Sequence, residues 1–332
     1  MGKFETRVAE DVIRASRDPR HQSGLAQGLG LLGGRVFFVL KAAATNFTQF
    51  VEDHPDYRSG DGVVTTAAVY TTVDAAIGAC TAAQGDVIYV MPGHTETVTA
   101  TSIAMDISGV SIICLGNGLN RPTFTYSAAA ATITVSAANM SFIGGHHIAN
   151  FADVTAAFTL TTAKDFVLQK NTFVDAGTDK NYFNIVLTTA GANTQDGLTV
   201  IENNWHNIDA LAKAMVSILA NIERFTFNDN NIQTGATGNI AYAITSSSFT
   251  MLNTQIKRNV LTAVGATGAT AAIFMTGTGV STGVVAFNLI ASLDTTTELI
   301  FDVSMAFKYF ENYYTGVADK SGYLVPAADS AA

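Results

Sequence analysis

Two carboxylates, Glu202 and Asp229, have the spacing that acid–base chemistry would need. Each stands one residue before an asparagine that ends a short apolar segment, and the two segments follow each other along the chain. If such segments stack, neighbouring carboxyl groups lie about 5 Å apart, which suits a retaining glycosidase or a cation site. Lys170 and Arg258 occupy the same position in the flanking segments, so the row favours a self-neutralising ladder of charges on a solvated edge.

Histidines are the other side chains that could bind a metal or move a proton. His146 and His147 follow a Gly-Gly pair, and His94 lies in a Pro-Gly-His-Thr-Glu segment. A zinc site needs three or four ligands at recognisable spacing, and none completes a set here. We therefore interpret these histidines as polar turn residues and predict neither a metal nor a cofactor.

Glu202 and Asp229 belong to short segments that end in asparagine followed, one or two residues later, by a bulky apolar side chain. The asparagines are Asn171, Asn203, Asn230, Asn259, Asn288 and Asn312, with steps of 32, 27, 29, 29 and 24 residues. A period in this range indicates stacked repeats of one structural unit, with loops of variable length. Similar strands begin near Val87, Val110 and Met140, so the sequence predicts about nine coils.

Alternation within each repeat assigns its inward side chains. One predicted column is Leu168, Val200, Phe227, Ile256, Val285 and Tyr309, and a second is Phe173, Trp205, Ile232, Leu261, Ile290 and Tyr314. Successive coils about 4.8 Å apart would bury both columns continuously. The asparagines fall at the bend between the two columns, where their amides can bond to backbone and to one another. We interpret them as a structural ladder.

The opposite positions of the first strand give the outward flank of the predicted solenoid. They are Ser111, Ile113, Ser141, Ile143, Val167, Gln169, Thr199, Ile201, Thr226, Asn228, Gln255, Lys257, Val284, Ala286, Lys308 and Phe310. Glycoside hydrolysis uses a pair of carboxyl groups, and β-elimination uses a base beside a group that neutralises the substrate acid. This flank contains no Asp, Glu, Arg or His, which disfavours an enzyme that works on it.

Composition limits the choice of function classes. The chain has 332 residues, 48% hydrophobic and 14% charged, with a net charge of −9. Phosphate binding requires clustered Lys and Arg, so this balance argues against a nucleic-acid partner for the body. A surface with so few charges favours burial against another subunit. Cys80 and Cys114 are predicted to be small buried apolar groups, without a disulfide framework.

Residues 1–60 are predicted to form an extended N-terminal arm and linker. Residues 1–41 contain seven basic and four acidic residues, whereas the remainder contains 11 basic and 23 acidic ones. Apolar residues at helical spacing in the first turns indicate a short amphipathic helix. Arg35 and several glycines interrupt the apolar stretch 24–44, so we predict no membrane span. The docking residues proposed for this arm are Phe4, Val8, Val12, Arg14, Arg17, Arg20 and Arg35.

The segment 71–116 has a specific pattern. A threonine-capped helix near 72–84 is followed by Asp86-Val-Ile-Tyr-Val-Met-Pro-Gly-His-Thr-Glu96 and then by Gly109-Val-Ser-Ile-Ile-Cys-Leu-Gly116. This succession resembles the opening of right-handed parallel β-helix proteins of the pectin-lyase-like superfamily. The resemblance implies an all-β, right-handed parallel β-helix over 61–314. It also implies an N-terminal capping helix that blocks the open strand edges, and a lid or tail over 315–332.

The run from Arg35 to Glu96 resembles capsid decoration or cement proteins and tailspike-like proteins of tailed bacteriophages. That resemblance implies a non-catalytic virion protein on the capsid surface, trimeric, with the major capsid protein or another shell protein as partner. One alternative is a tailspike-like protein that binds or depolymerises host glycans, with Glu202 and Asp229 as weak catalytic candidates. A cell-surface adhesin is a third alternative, and it would require a signal segment that the first residues do not show.

Overall fold

The computed structural model describes residues 34–41, 69–177, 179–189, 191–207, 214–234, 242–246, 249–263, 273–292, 300–316 and 322–323. The predicted arm contacts Phe4, Val8, Val12, Arg14, Arg17 and Arg20 lie outside these residues. Most of the predicted lid 315–332 also lies outside them. Arg35, the remaining proposed arm contact, lies within the described ranges.

The described part of the chain is built almost entirely of short strands. Strands β1 to β10 are Val36–Val39, Val69–Tyr70, Val87–Val90, Thr95–Val98, Ile103–Met105, Ser111–Cys114, Thr123–Tyr126, Ile133–Val135, Ser141–Ile143 and His146–Ala149. Strands β11 to β20 are Phe158–Leu160, Val167–Gln169, Thr172–Asp175, Asn184–Thr188, Thr199–Ile201, Asn204–Asn207, Ala214–Ile218, Ile222–Glu223, Thr226–Asn228 and Asn231–Thr234. Strands β21 to β29 are Tyr242–Ser246, Met251–Leu252, Thr254–Lys257, Val260–Ala263, Ile273–Ala286, Leu289–Ser292, Ile300–Phe310, Tyr313–Gly316 and Gly322–Tyr323. Helix α1 is Val73–Ala79, and a single 3₁₀ turn is Gly118–Asn120.

The strands stack into three parallel ladders. The first ladder runs through β1, β3, β6, β9, β12, β15, β19, β23 and the C-terminal parts of β25 and β27. The second runs through β4, β7, β10, β13, β16, β20, β24, β26 and β28. The third contains β5, β8, β11, β14, β17, β21 and the N-terminal parts of β25 and β27.

These ladders define an all-β parallel β-solenoid of about seven turns with little helix. The predicted fold class is confirmed. The sequence predicted about nine coils, and the solenoid has about seven turns, although the second ladder contains nine parallel strands. The right-handed sense of winding stays a prediction.

Helix α1 lies within the predicted range but is shorter than the expected 72–84. Thr72 caps it, since its Oγ1 accepts a hydrogen bond from the backbone N–H of Ala75 at 3.3 Å. The helix ends at Ala79, and the backbone N–H of Thr81 then donates to the Asp86 carboxylate at 2.6 Å instead of to a helical carbonyl. Its apolar side packs into the core, while its role as a cap of the first coil stays a prediction.

Strand β1 belongs to the solenoid, although the sequence placed it in the arm. It pairs in parallel with β3 over Val36–Val39 and also pairs with β2. Phe37, Phe38 and Val39 are buried there. A predicted strand inside an apolar stretch does not indicate its pairing partner. The body of the protein therefore includes residues 36–39.

Both predicted inward columns are confirmed by the strand register. Leu168 pairs in sequence with Val200, Phe227, Ile256, Val285 and Tyr309 in the first ladder. Phe173 pairs in the same way with Trp205, Ile232, Leu261, Ile290 and Tyr314 in the second. The columns from Leu168 to Val285 and from Phe173 to Ile290 join one continuous apolar core, and Tyr309 packs against it. At the C-terminal end, β29 adds to β28 in antiparallel orientation, and the lid itself stays a prediction.

Candidate functional site

The six asparagines form one buried row at the bend between the first and second ladders. Asn230 shows the bonding of an interior member. Its Oδ1 accepts from the backbone N–H and the Nδ2 of Asn203 at 3.0 and 3.1 Å. Its Nδ2 donates to the carbonyl of Val200 at 2.9 Å and to Oδ1 of Asn259 at 3.1 Å. The same links join Asn171 to Asn203 and continue from Asn259 through Asn288 to Asn312.

The residues that precede these asparagines form an exposed row, which we call the corner row. Its members are Lys170, Glu202, Asp229, Arg258, Phe287 and Glu311, and all of them have positive φ, between 44° and 60°. This left-handed conformation turns the chain sharply enough to direct the next side chain inward. The corner row therefore follows the outside of the solenoid, parallel to the buried amides.

The two candidate catalytic carboxylates lie in this row and both have partners. Glu202 accepts a hydrogen bond from the amide of Gln169 at 2.8 Å and lies 3.6 Å from the Lys170 ammonium. Asp229 binds the guanidinium of Arg258 through both oxygens, at 2.7 and 2.6 Å. The arrangement is the self-neutralising charge ladder that the sequence favoured. Each acid is paired with a cation of a neighbouring turn, on the solvent side of the protein.

The outward flank has the register that the sequence predicted. Ser111, Ser141, Val167 and their successors pair strand by strand up to Lys308. Lys257 and Lys308 are the ionisable side chains at these outward positions between Ser111 and Phe310. Over the part of the chain that is described, no group of three or more His, Cys, Asp or Glu lies together as metal ligands would.

His147 occupies the core, so its interpretation as a turn residue was wrong. With His146 it begins β10, and its ring stacks between Phe124 and Phe173 at centroid distances of 5.3 and 4.7 Å. Burial lowers the pKa of His147 to about 3, so the ring is neutral. Its nitrogens lie 3.2 Å from the hydroxyl of Tyr126 and 3.4 Å from Oδ1 of Asn171.

The Gly-Gly pair before this strand explains why a turn was expected. Gly144 has φ of 84°, as a turn glycine would. At Gly145 a Cβ would lie 2.7 Å from Nε2 of His147 and 2.8 Å from the Phe142 ring. That glycine is required by close packing at the corner, and the chain continues directly into the strand.

His94 and Glu96 connect the second ladder to helix α1. Nε2 of His94 lies 3.0 Å from Oε2 of Glu96, and the same oxygen accepts the backbone N–H of Val73 at 3.0 Å. Val73 is the first residue of the helix, where a carboxylate satisfies a free backbone donor. The sequence pattern indicated an ordinary loop for this segment. The structure instead gives both side chains a buried, helix-positioning role.

Arg35, the arm contact that the structure describes, is held by the body. Its backbone N–H donates to Asp86 at 2.6 Å, and its Nη2 lies 3.2 Å from the same carboxylate. It also donates to the carbonyl of Ala79 and the hydroxyl of Thr81, both at 2.7 Å. Asp86 is fully buried, whereas about half of the Arg35 side chain is exposed. Docking through Arg35 stays a prediction.

Cys114 is buried, as the sequence predicted, whereas Cys80 is only partly buried. Both cysteines are free. Burial raises the pKa of the Cys80 thiol to about 12, and burial also raises the pKa of Cys114. Neither thiol is activated as a nucleophile.

An exposed apolar surface, which we call the C-terminal corner, lies at the end of the solenoid. It consists of Val260, Phe287, Leu289, Phe310 and Tyr313, each between 39% and 52% exposed. Val260, Leu289 and Tyr313 occupy one register position of the second ladder. Phe287 donates its backbone N–H to the carbonyl of Phe310 at 3.1 Å, so these two lie on adjacent turns. This surface was not predicted from the repeat pattern.

No protein family and no curated protein matches this chain. A comparison with solved structures finds similarity to a chain named "Rhamnogalacturonan lyase", with 12% identity. The similarity covers 88% of this chain and 90% of that chain, with a TM-score of 0.39. A likeness at this level supports no argument about activity. The strand pairings by themselves define the class: the protein is a parallel β-solenoid.

No helix in the described ranges has the length and apolar character needed to cross a membrane.

Proposed function

We propose that the protein is a non-catalytic structural subunit of a virion. In this proposal the solenoid is a rigid body on the capsid surface. It associates with copies of itself, as a trimer, and residues N-terminal to β1 dock it onto the major capsid protein or another shell protein. Host glycan is a partner only in the alternative tailspike-like function.

The observation that carries the proposal is the continuous amide row from Asn171 to Asn312. Each interior side chain bonds to both neighbouring turns, and it also donates to a backbone carbonyl of the first ladder. Buried polar groups that are fully satisfied in this way rigidify and specify a core. A column with such bonding along six successive turns suits a protein whose task is mechanical.

The corner row supports the same proposal. Two of its acids, Glu202 and Asp229, face cations from adjacent turns, with the Arg258–Asp229 pair in bidentate geometry. Exposed ion pairs contribute little stability, about 0.2–1 kcal/mol each, but these two offset the repulsion between Glu202 and Asp229 on successive turns. The row suits the solvated edge of a rod.

Charge asymmetry supports docking by the N-terminal segment. Residues 1–41 carry seven basic and four acidic residues, against 11 basic and 23 acidic residues in the remainder. Complementary charge steers association and fixes orientation. The assignment to a virion, with a shell protein as partner, rests on a sequence resemblance: the segment from Arg35 to Glu96 resembles capsid decoration and tailspike-like proteins.

A truncation that stops before β1 tests the docking. Because Phe37, Phe38 and Val39 are buried in the first ladder, removal of residues 1–41 would damage the body, whereas removal of residues 1–33 would leave it paired. We expect the full chain to co-sediment with purified particles from the source culture and the truncated chain to stay in the supernatant. Circular dichroism checks that the truncated body is folded. Equal co-sedimentation of both would contradict docking through the arm.

A further inference from the structure

We propose that the C-terminal corner is the surface through which two copies of this chain meet, side by side. The inference rests on the proposed structural function and names the partner within it. It starts from the five apolar side chains of the corner, which are adjacent on three successive turns. Each lies on the outer side of its strand or bend. Apart from Phe310, whose row also carries Ile143 and Ile201, they stand where the earlier turns carry polar or charged residues.

The contrast is clearest along the row of the second ladder that ends at the corner. In the second ladder, the position of Val260, Leu289 and Tyr313 is occupied on earlier turns by Thr172, Asn204 and Asn231. The row is polar along the middle of the rod and becomes apolar over its last three turns. An apolar patch confined in this way indicates a contact surface.

Phe287 adds an independent observation. The other corner-row residues are charged, and Asn or Asp would be the usual choice for their left-handed backbone. Phe287 has φ of 60° and is 49% exposed, so a bulky aromatic occupies a strained, solvent-facing position. Neither local conformation nor the core formed by the described residues accounts for a phenylalanine there. Contact with a partner does, because aromatic side chains are enriched at the centres of interfaces.

The charges around the corner favour a second copy as that partner. Lys257, Arg258 and Lys308 border the patch together with Asp229 and Glu311. Three cations face two carboxylates, whereas the whole chain carries −9. Identical acidic bodies repel each other over most of their surface, but not here. A rim with both signs is self-complementary, as an interface between identical chains requires.

The size of the patch agrees with that assignment. Five large side chains exposed by 39–52% present about 400 Å² of apolar surface, taking roughly 200 Å² for each whole side chain. A standard interface buries about 800 Å² on each partner, with an apolar centre and a polar rim. The corner supplies that centre and the surrounding charges supply the rim. Because it lies on an edge of the rod, identical corners can also meet around a three-fold axis parallel to the rods.

The test uses the full chain and two substitutions that the fold should accept. Phe287→Asn introduces a residue that tolerates left-handed backbone, and Leu289→Thr introduces threonine, which an earlier turn carries at the equivalent position, Thr172. Sedimentation velocity over a concentration series measures self-association, and urea unfolding measures the stability of the monomer. We expect each substitution to weaken self-association by about 30-fold, as for a central interface residue, without lowering the unfolding midpoint.

Phe151→Asn is the matched control, since Phe151 is 43% exposed but lies several turns before the corner. It should leave self-association unchanged. The inference is overturned if the wild-type chain stays monomeric at every concentration, or if both corner variants associate as the wild type does. In either case the structural function would still stand or fall on the separate co-sedimentation test.

Discussion

Replacement of Asn230 by alanine tests whether the amide row holds the turns together. The substitution removes four hydrogen bonds, of which two come from Asn203 and two go to Val200 and Asn259. Some of the partners keep another bond. Nδ2 of Asn203 still donates to the carbonyl of Leu168, and Oδ1 of Asn259 still accepts the backbone N–H of residue 230.

The backbone N–H of Asn203 is the group that loses its acceptor. It is buried, and an unsatisfied buried donor costs about 1–3 kcal/mol. The weakened bonding of the other partners and the small cavity add to that cost, so we expect a loss of about 3 kcal/mol in the free energy of unfolding. Because each turn contacts only its neighbours, such a protein can begin to unfold locally, and a local probe is needed as well.

Two assays measure the loss. Urea unfolding gives the global free energy, and native-state hydrogen exchange of the peptide 198–207 gives the local opening free energy, which should fall by a similar amount. Asn231→Ala is the matched control, since that neighbouring side chain is exposed on the second ladder. The control should change stability by less than about 0.5 kcal/mol. Equal effects of Asn230→Ala and Asn231→Ala would refute the reasoning.

Three further predictions concern buried and paired charges. Acidification from pH 6.5 to 4.5 should lower the free energy of unfolding by about 2 kcal/mol through His147, because its folded pKa of about 3 lies below the unfolded value, so this stability is present above pH 6.5 and is lost as the pH falls. His147→Phe, which extends the Phe124–Phe173 stack, should remove that part of the pH dependence in urea unfolding. Asp86→Ala should lower the unfolding free energy by about 3 kcal/mol, because the buried carboxylate accepts backbone N–H groups from Arg35 and Thr81. Incubation with host-surface polysaccharides should release no new reducing ends, and Glu202→Gln with Asp229→Asn should not alter that result.

Each of the three predictions has a result that would contradict it. If His147→Phe shows the same acid-induced loss as the wild type, the buried ring is not its source. Asp106→Ala, at an exposed aspartate, is the control for Asp86→Ala, and equal losses would show that the link from β1 to β3 does not depend on that carboxylate. Reducing ends that appear with the wild type and disappear with the double variant would make the acidic pair catalytic.

The repeat pattern was sufficient to predict the solenoid because one register accounts for six copies at once. An inward residue such as Leu168 or Phe173 is identified by its place beside a ladder asparagine, and a shift by one residue would move every side chain to the other face. The outward flank followed from the same register. These features depend on local alternation, which is visible in the sequence.

Features that depend on three-dimensional neighbours were missed. His147 follows a Gly-Gly pair that resembles a turn signal, and only the packing around Gly145 shows that the chain continues into a strand. Arg35 was assigned to the arm because the sequence does not reveal its bond to Asp86, 51 residues away. The exposure of Phe287 could have been predicted, because it aligns with Lys170 and Arg258 in the repeats. The register places that position on the outside of the solenoid.

Cryo-electron microscopy of particles purified from the source culture tests the central claim most directly. The structural proposal predicts rod-shaped solenoids on the outer shell, grouped as copies in contact through their C-terminal corners, with the N-terminal ends on the capsid protein. A particle map without such rods, obtained while the protein is abundant elsewhere in the culture, would contradict the proposed function.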